Sequence, residues 1–322
     1  MTSTAMYRLI AGALVAMLAP VALAQKITIA TGVDPASSIF YVAKDAGILK
    51  KHGFDVDLRT GATAGATIPL VISGEAIASH AAAFAGLVNH LTDPNIVAVA
   101  QTTALDKWYA VVSSADVKDV AGLKGKKVAL ALGTASETLW TAVLKKERLA
   151  PTDFETVNLA PPEMVAALTR GDIAAYVAWE PWVSRTTVAF KNTRVLQDGG
   201  GLITDGTFIY MNRKWLTANK DAAVRFARAM KEANDFIVSN PAETKKIVGA
   251  FLNLTPDLMD QMYPKLAYSF KLDAQSHQVS KAAVDTLTER GRIKGAFDYN
   301  AWFYPDLINA VAPDAAKLPR TM

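Results

Sequence analysis

The chain has 322 residues, none of them cysteine, and 34 lysines and arginines against 30 aspartates and glutamates leave a formal charge of +4. Without cysteine there is no disulfide framework and no thiolate metal site, and a small cationic excess scattered in pairs such as Lys126-Lys127 excludes the basic stripe of a nucleic-acid binder. A 51% hydrophobic composition and this length point to a large core shared by about two lobes.

The first element is an export signal. Arg8 supplies a positive start, residues 9–23 form an apolar run broken by Pro20, and Ala22-Leu23-Ala24 puts small residues where a signal peptidase reads them. The run is shorter than the roughly 20 residues of a bilayer-spanning helix, which disfavours the alternative of an uncleaved anchor. Cleavage after Ala24 leaves 298 residues, with no following cysteine to carry a lipid.

Residues 26–30 then alternate as a strand, Ser37 or Ser38 caps a helix over 39–51, and Gly53 ends it before a second strand at 54–58. A helix over 66–73 stops at Gly74 and leads to a third strand at 76–79. The same order returns about a hundred residues later: strand 128–131, helix 134–148, strand 155–158, helix 162–170 and strand 173–177. Ser73-Gly74-Glu75-Ala76-Ile77-Ala78 and Arg170-Gly171-Asp172-Ile173-Ala174-Ala175 even join their third strands alike. Two β-α-β-α-β units imply two α/β lobes, each with a mostly parallel sheet flanked by helices. Strands at 96–101, 108–113 and 206–212 are expected to cross between them, and the tail from residue 219 reads as helical. The division is then 25–105 with 206–322 as lobe one and 106–205 as lobe two, the tail packing on lobe one because an open parallel sheet needs both faces covered. An independent tail domain is the alternative.

Ligands of open parallel sheets bind at the carboxyl ends of the strands. The rule nominates residues 34–40, 79–84, 133–140 and 179–182, and within them Ser37, Ser38, Phe40, Ser79, His80, Ala81, Thr134, Ala135, Ser136, Glu137, Trp140, Trp179 and Glu180. Two of these stretches open helices, whose unpaired N–H groups attract anions, although Ser37, Ser38 and Thr134 are also ordinary capping residues. Glu137 fits a capping box and would repel an anion there; if Glu137 and Glu180 both face the cleft, the ligand carries a cationic or donor group beside its acid. Trp140 and Trp179 are the expected apolar walls, with Trp108 and Tyr109 in the same aromatic cluster. His52, His80, His90 and His277 lack metal-ligand spacing, and no nucleophile elbow, phosphate loop or dinucleotide fingerprint occurs, so neither catalysis, metal nor cofactor is expected.

Several runs together resemble one family. Residues 39–56 (IFYVAKDAGILKKHGFDV), Leu123-Lys124-Gly125-Lys126-Lys127-Val128, the turn at 133–137, and Gly171-Asp172-Ile173 through Trp179-Glu180-Pro181-Trp182 are similar, in order, to the nitrate/sulfonate/taurine family of ABC-transporter substrate-binding proteins. The resemblance spans nearly the whole mature chain. It implies a two-lobed periplasmic-binding-protein fold of type II that closes on a small organic acid or oxyanion in the periplasm and delivers it, as a monomer, to a permease and its ATPase. Carried over by position, it implies ligand contacts from Ser37, Ser38, 79–81, 134–136, Trp179 and Glu180. Ser79-His80-Ala81 and Glu137 depart from the usual pattern and favour taurine, an aromatic acid or a thiamine-type pyrimidine over plain alkanesulfonate or nitrate. Pyrimidine- and menaquinone-pathway enzymes share the fold, but the pyrimidine type is expected to carry a cysteine-rich motif absent here; an exported sensor domain is a third reading.

Overall fold

A computed structural model describes residues 24–105 and 107–319. The signal-peptide reading falls on residues 1–23, outside the described residues except for Ala24. Among the described residues no helix is long and apolar enough to cross a membrane.

Twelve strands are present among them: β1 (Gln25–Gly32), β2 (Phe54–Gly61), β3 (Ala78–Ala82), β4 (Ile96–Ala104), β5 (Tyr109–Ser114), β6 (Lys127–Leu130), β7 (Glu155–Asn158), β8 (Ala175–Trp179), β9 (Thr193–Asp198), β10 (Gly206–Asn212), β11 (Ala267–Asp273) and β12 (Ala316–Lys317). They form a seven-stranded sheet, β12-β11-β4-β10-β3-β1-β2, and a five-stranded sheet, β7-β6-β8-β5-β9. The internal repeat is visible in the pairing. In each sheet the first strand of a unit lies between its parallel second and third, β2-β1-β3 and β7-β6-β8. In each, an antiparallel strand follows, β10 against β3 and β5 against β8. The chain passes between the lobes twice, from β4 to β5 and from β9 to β10, and the two passages touch where Leu105 N–H donates to the Asp205 carbonyl at 3.0 Å.

The expected helix over 39–51 is two helices, Ser38–Asp45 and Ile48–Lys51, because Gly47 adopts φ +74°; glycine enters that left-handed region without steric penalty. The tail is not wholly helical. Residues 267–273 alternate with period two, burying Phe270 and Leu272, and extend the lobe-one sheet as β11, antiparallel to β4. A strand of this length leaves too short an alternation to stand out among long amphipathic helices. The helix Lys220–Ser239 covers lobe one: Phe226 meets the rings of Phe40 and Phe54 edge-on, at 6.4 and 6.2 Å between centroids. Tyr41 stacks on Phe251 of the next helix at 4.1 Å. Burying each such ring stabilises the fold by about 1.5–3 kcal/mol, so the tail is part of the lobe-one core.

Candidate functional site

The two sheets point the carboxyl ends of their parallel strands at one another. Between them lies a cleft of about 430 Å³ of empty volume, its open mouth included. Asp34, Ser37, His80 and Ala81 line it from lobe one, Thr134, Ala135 and Trp179 from lobe two, and Trp108, Tyr109 and Thr207 from the crossing segments. Gly32 makes the lobe-one wall possible: a Cβ there would stand 2.6 Å from the Ala64 backbone nitrogen, so only glycine lets the Thr63–Gly65 turn close over the end of β1.

Asp34 follows β1 in extended conformation and accepts the Ala36 N–H at 2.9 Å on Oδ1. Burial removes the carboxyl from water and pushes it from 3.8 up to about 7, against the opposing pull of the Ala36 and Ser37 N–H groups. The Ser37 hydroxyl lies 2.6 Å from that of Thr31, which donates to the His80 carbonyl at 3.1 Å. His80, on β3, is wholly buried, and burial lowers it from 6.5 to about 3, so its ring is neutral at physiological pH. Its Nε2 meets Thr102 Oγ1 at 2.7 Å, while its Nδ1 has no hydrogen-bond partner. Tyr109 is hydrogen-bonded to buried Asp205.

Across the cleft, Thr134 caps the helix Ala135–Glu147, accepting the Ser136 N–H at 3.3 Å while donating to the Ala131 carbonyl at 2.7 Å. The first amides of that helix have no partner within it. The expected repulsion from Glu137 is removed by the other lobe. Arg290 ends the helix Ala274–Glu289, pairs with the Glu137 carboxylate at 2.5 Å, and also reaches the Glu137 carbonyl and Thr141 hydroxyl. Glu180 is likewise taken out of the cleft: it accepts from the Ser184 amide and hydroxyl, each at 2.9 Å, and from Lys265 of lobe one. Arg185 adds a third bond between lobes, to the Leu252 carbonyl at 3.2 Å.

Of the thirteen residues nominated from sequence, Ser37, His80, Ala81, Thr134, Ala135 and Trp179 border the cleft. The other seven lie elsewhere. Ser38 donates to the Pro35 carbonyl and meets Tyr268, Phe40 packs behind His80, and Ser79 bonds Thr67. Ser136 is turned into the protein with its hydroxyl unpartnered. Trp140 packs edge-on against Phe154 inside lobe two, because one helical turn beyond the cap the side chain already faces the sheet. Glu137 and Glu180 are the ion-pair residues just described. Asp34 belongs to a nominated stretch but is not among the thirteen residues. Its signal in the sequence was an acid immediately after a strand's carboxyl end, disguised as an ordinary turn residue before Pro35. Thr207 and the 63–65 turn reach the cleft only through tertiary packing.

A family model described as NMT1/THI5 like matches residues 34–244. The taurine-binding periplasmic protein of Escherichia coli (strain K12) is 25% identical over 244 residues, 71% of this chain and 72% of that protein. The crystal structure of the periplasmic aliphatic sulphonate binding protein SsuA from Escherichia coli superposes with TM-score 0.75 at 18% identity, covering 89% of this chain and 99% of that one. The desulfurization enzyme DSZB superposes with TM-score 0.69 at 14% identity, covering 90% and 99%. At these identities the solved structures establish the fold alone: a two-lobed periplasmic-binding-protein architecture.

Proposed function

Because the chain belongs to the NMT1/THI5-like family, we propose that it is the periplasmic solute-binding component of an ABC importer, taking up a small acid-bearing solute between its lobes. The observation that carries this reading is the cleft itself, walled by both lobes and bridged by Glu137–Arg290 and Glu180–Lys265. Contacts from two lobes to one solute favour the closed arrangement by differential affinity, the only way a ligand shifts such an equilibrium. The positive end of the Ala135–Glu147 helix, no longer opposed by Glu137, suits the ligand's acid group; such an end contributes about 0.3–1 kcal/mol, up to ~2 kcal/mol when partly buried. The division into 25–105 with 206–322 and 106–205, export with cleavage after Ala24, and delivery to a permease and ATPase belong to the same proposal.

A thermal-shift panel on mature, ligand-stripped protein tests it, with sulfate, nitrate, alkanesulfonates, taurine, aromatic acids and pyrimidines. A ligand at a hundred times its Kd adds about 2.7 kcal/mol, a rise of several degrees at roughly 2 °C per kcal/mol for a chain of this size. A folded protein that no member stabilises would count against the reading. A second reading, an enzyme on this fold, is favoured by one observation: the carboxyl of Asp34 lines the cleft, and its burial pushes it up to about 7, the range that suits a general base. Mass spectrometry of a bound panel member after prolonged incubation separates the two, since a binding protein returns it unchanged.

A further inference from the structure

The protons of the lobe-one wall can be counted. Thr103 Oγ1 donates to the Ala36 carbonyl, and Thr207 Oγ1 donates to Thr103 at 3.0 Å. Thr102 has one proton, and it goes to Thr207, through the carbonyl at 3.3 Å or the hydroxyl at 2.9 Å. Thr102 therefore accepts in its 2.7 Å contact with His80, so Nε2 carries the ring's proton and the unpartnered Nδ1 is a bare lone pair. Thr31 has spent its proton on the His80 carbonyl, so Ser37 gives its own to Thr31. Among the lining residues Asp34 contributes a carboxyl group, and no lysine or arginine is present.

From this we propose that the lobe-one wall is a specificity site for N–H donors: Asp34, Ser37 and His80 Nδ1 accept at least two N–H groups of the solute, from an ammonium or an amino-substituted heteroaromatic ring. This rests on the solute-binding function proposed above and adds a requirement to it. The acid end of the solute faces the Ala135–Glu147 helix, and a nitrogen bearing hydrogens faces Asp34 and His80. A buried acceptor left without a donor is penalised, so a site of this kind rejects the analogue that lacks the donor more strongly than it rewards extra apolar contact.

The test is calorimetric titration of the stripped, mature protein with matched pairs: taurine and ethanesulfonate, β-alanine and propionate, 4-aminopyrimidine and pyrimidine. In at least one pair the amine-bearing member should bind at least about a hundredfold more tightly. A preference in the first two pairs identifies an ammonium, and in the third alone an amino-substituted ring. Asp34→Asn should weaken the preferred member by about a hundredfold while leaving the protein folded, since the amide oxygen of the asparagine still accepts the Ala36 N–H. Equal or tighter binding of the amine-free members overturns the inference and leaves the solute-binding function standing. Silence of every pair together with silence of the wider panel overturns both.

Discussion

Asp34→Asn should make the empty protein more stable, and more so at high pH. The native carboxyl is raised from 3.8 to about 7 by burial. A carboxyl raised in this way carries no penalty below about pH 4, where it is protonated folded and unfolded. It then loses stability progressively as pH rises to about 7, and the loss is complete above that. Each pKa unit is 1.36 kcal/mol, so the full penalty at about pH 8 is ~4 kcal/mol, against ~2 kcal/mol at about pH 5. Asparagine keeps the bond to Ala36 N–H without the charge. At roughly 2 °C per kcal/mol, the variant should melt about 8 °C above the parent at pH 8 and about 3–4 °C above it at pH 5. Scanning calorimetry of both proteins at both pH values checks this, and comparing them at each pH cancels the contributions of every other group. Tyr41, Tyr109 and Tyr268 near Asp34 are themselves pushed up by burial and stay neutral across this range. A variant that melts no higher than the parent at pH 8, or gains equally at both pH values, would show that Asp34 is not held at the cost the geometry implies.

Three further outcomes follow from the contacts across and behind the cleft. Glu137→Gln removes the charge that Arg290 holds from the other lobe, so the unliganded protein should open further and ligand dissociation should quicken in stopped-flow traces, with melting nearly unchanged. Trp140→Phe, deep in lobe two, should lower stability by about 1–3 kcal/mol in urea titration yet leave ligand affinity within about twofold, whereas Trp179→Ala at the cleft should cost at least about tenfold in affinity. Gly32→Ala forces a Cβ to 2.6 Å from the Ala64 backbone and should destabilise by roughly 1–3 kcal/mol while displacing the turn over the cleft; an unchanged urea midpoint would contradict this.

Much of the architecture was legible because it repeats. Two β-α-β-α-β runs with nearly the same join before the third strand specify two sheets of the same order, and β2-β1-β3 and β7-β6-β8 are that order. The strand β7 (Glu155–Asn158) and the strand β10 (Gly206–Asn212) lie where alternation placed them. β11 was hidden by the helical periodicity on either side of it, and β9 (Thr193–Asp198) by having little buried apolar face to alternate. The cleft was legible as stretches and less so as residues. The strand-end rule finds the loops, but the direction of each side chain depends on one turn of helix or one residue of register. Thr134 and Ala135 point into the cleft, while Trp140 on the same helix points into the core. The fate of Glu137 and Glu180 was illegible for a different reason: their partners, Arg290 and Lys265, lie 153 and 85 residues away in the tail. A carboxylate's partner at that distance is a property of the fold.

The most direct measurement is solution X-ray scattering on stripped, mature protein with and without a saturating solute that stabilises it. Capture between closing lobes predicts that the radius of gyration falls on binding, and that Asp34→Asn shifts the solute concentration needed for the change upward by about a hundredfold. Identical scattering curves with binding intact would mean that the solute sits somewhere other than between the lobes, or that the lobes do not close on it, and would contradict the account.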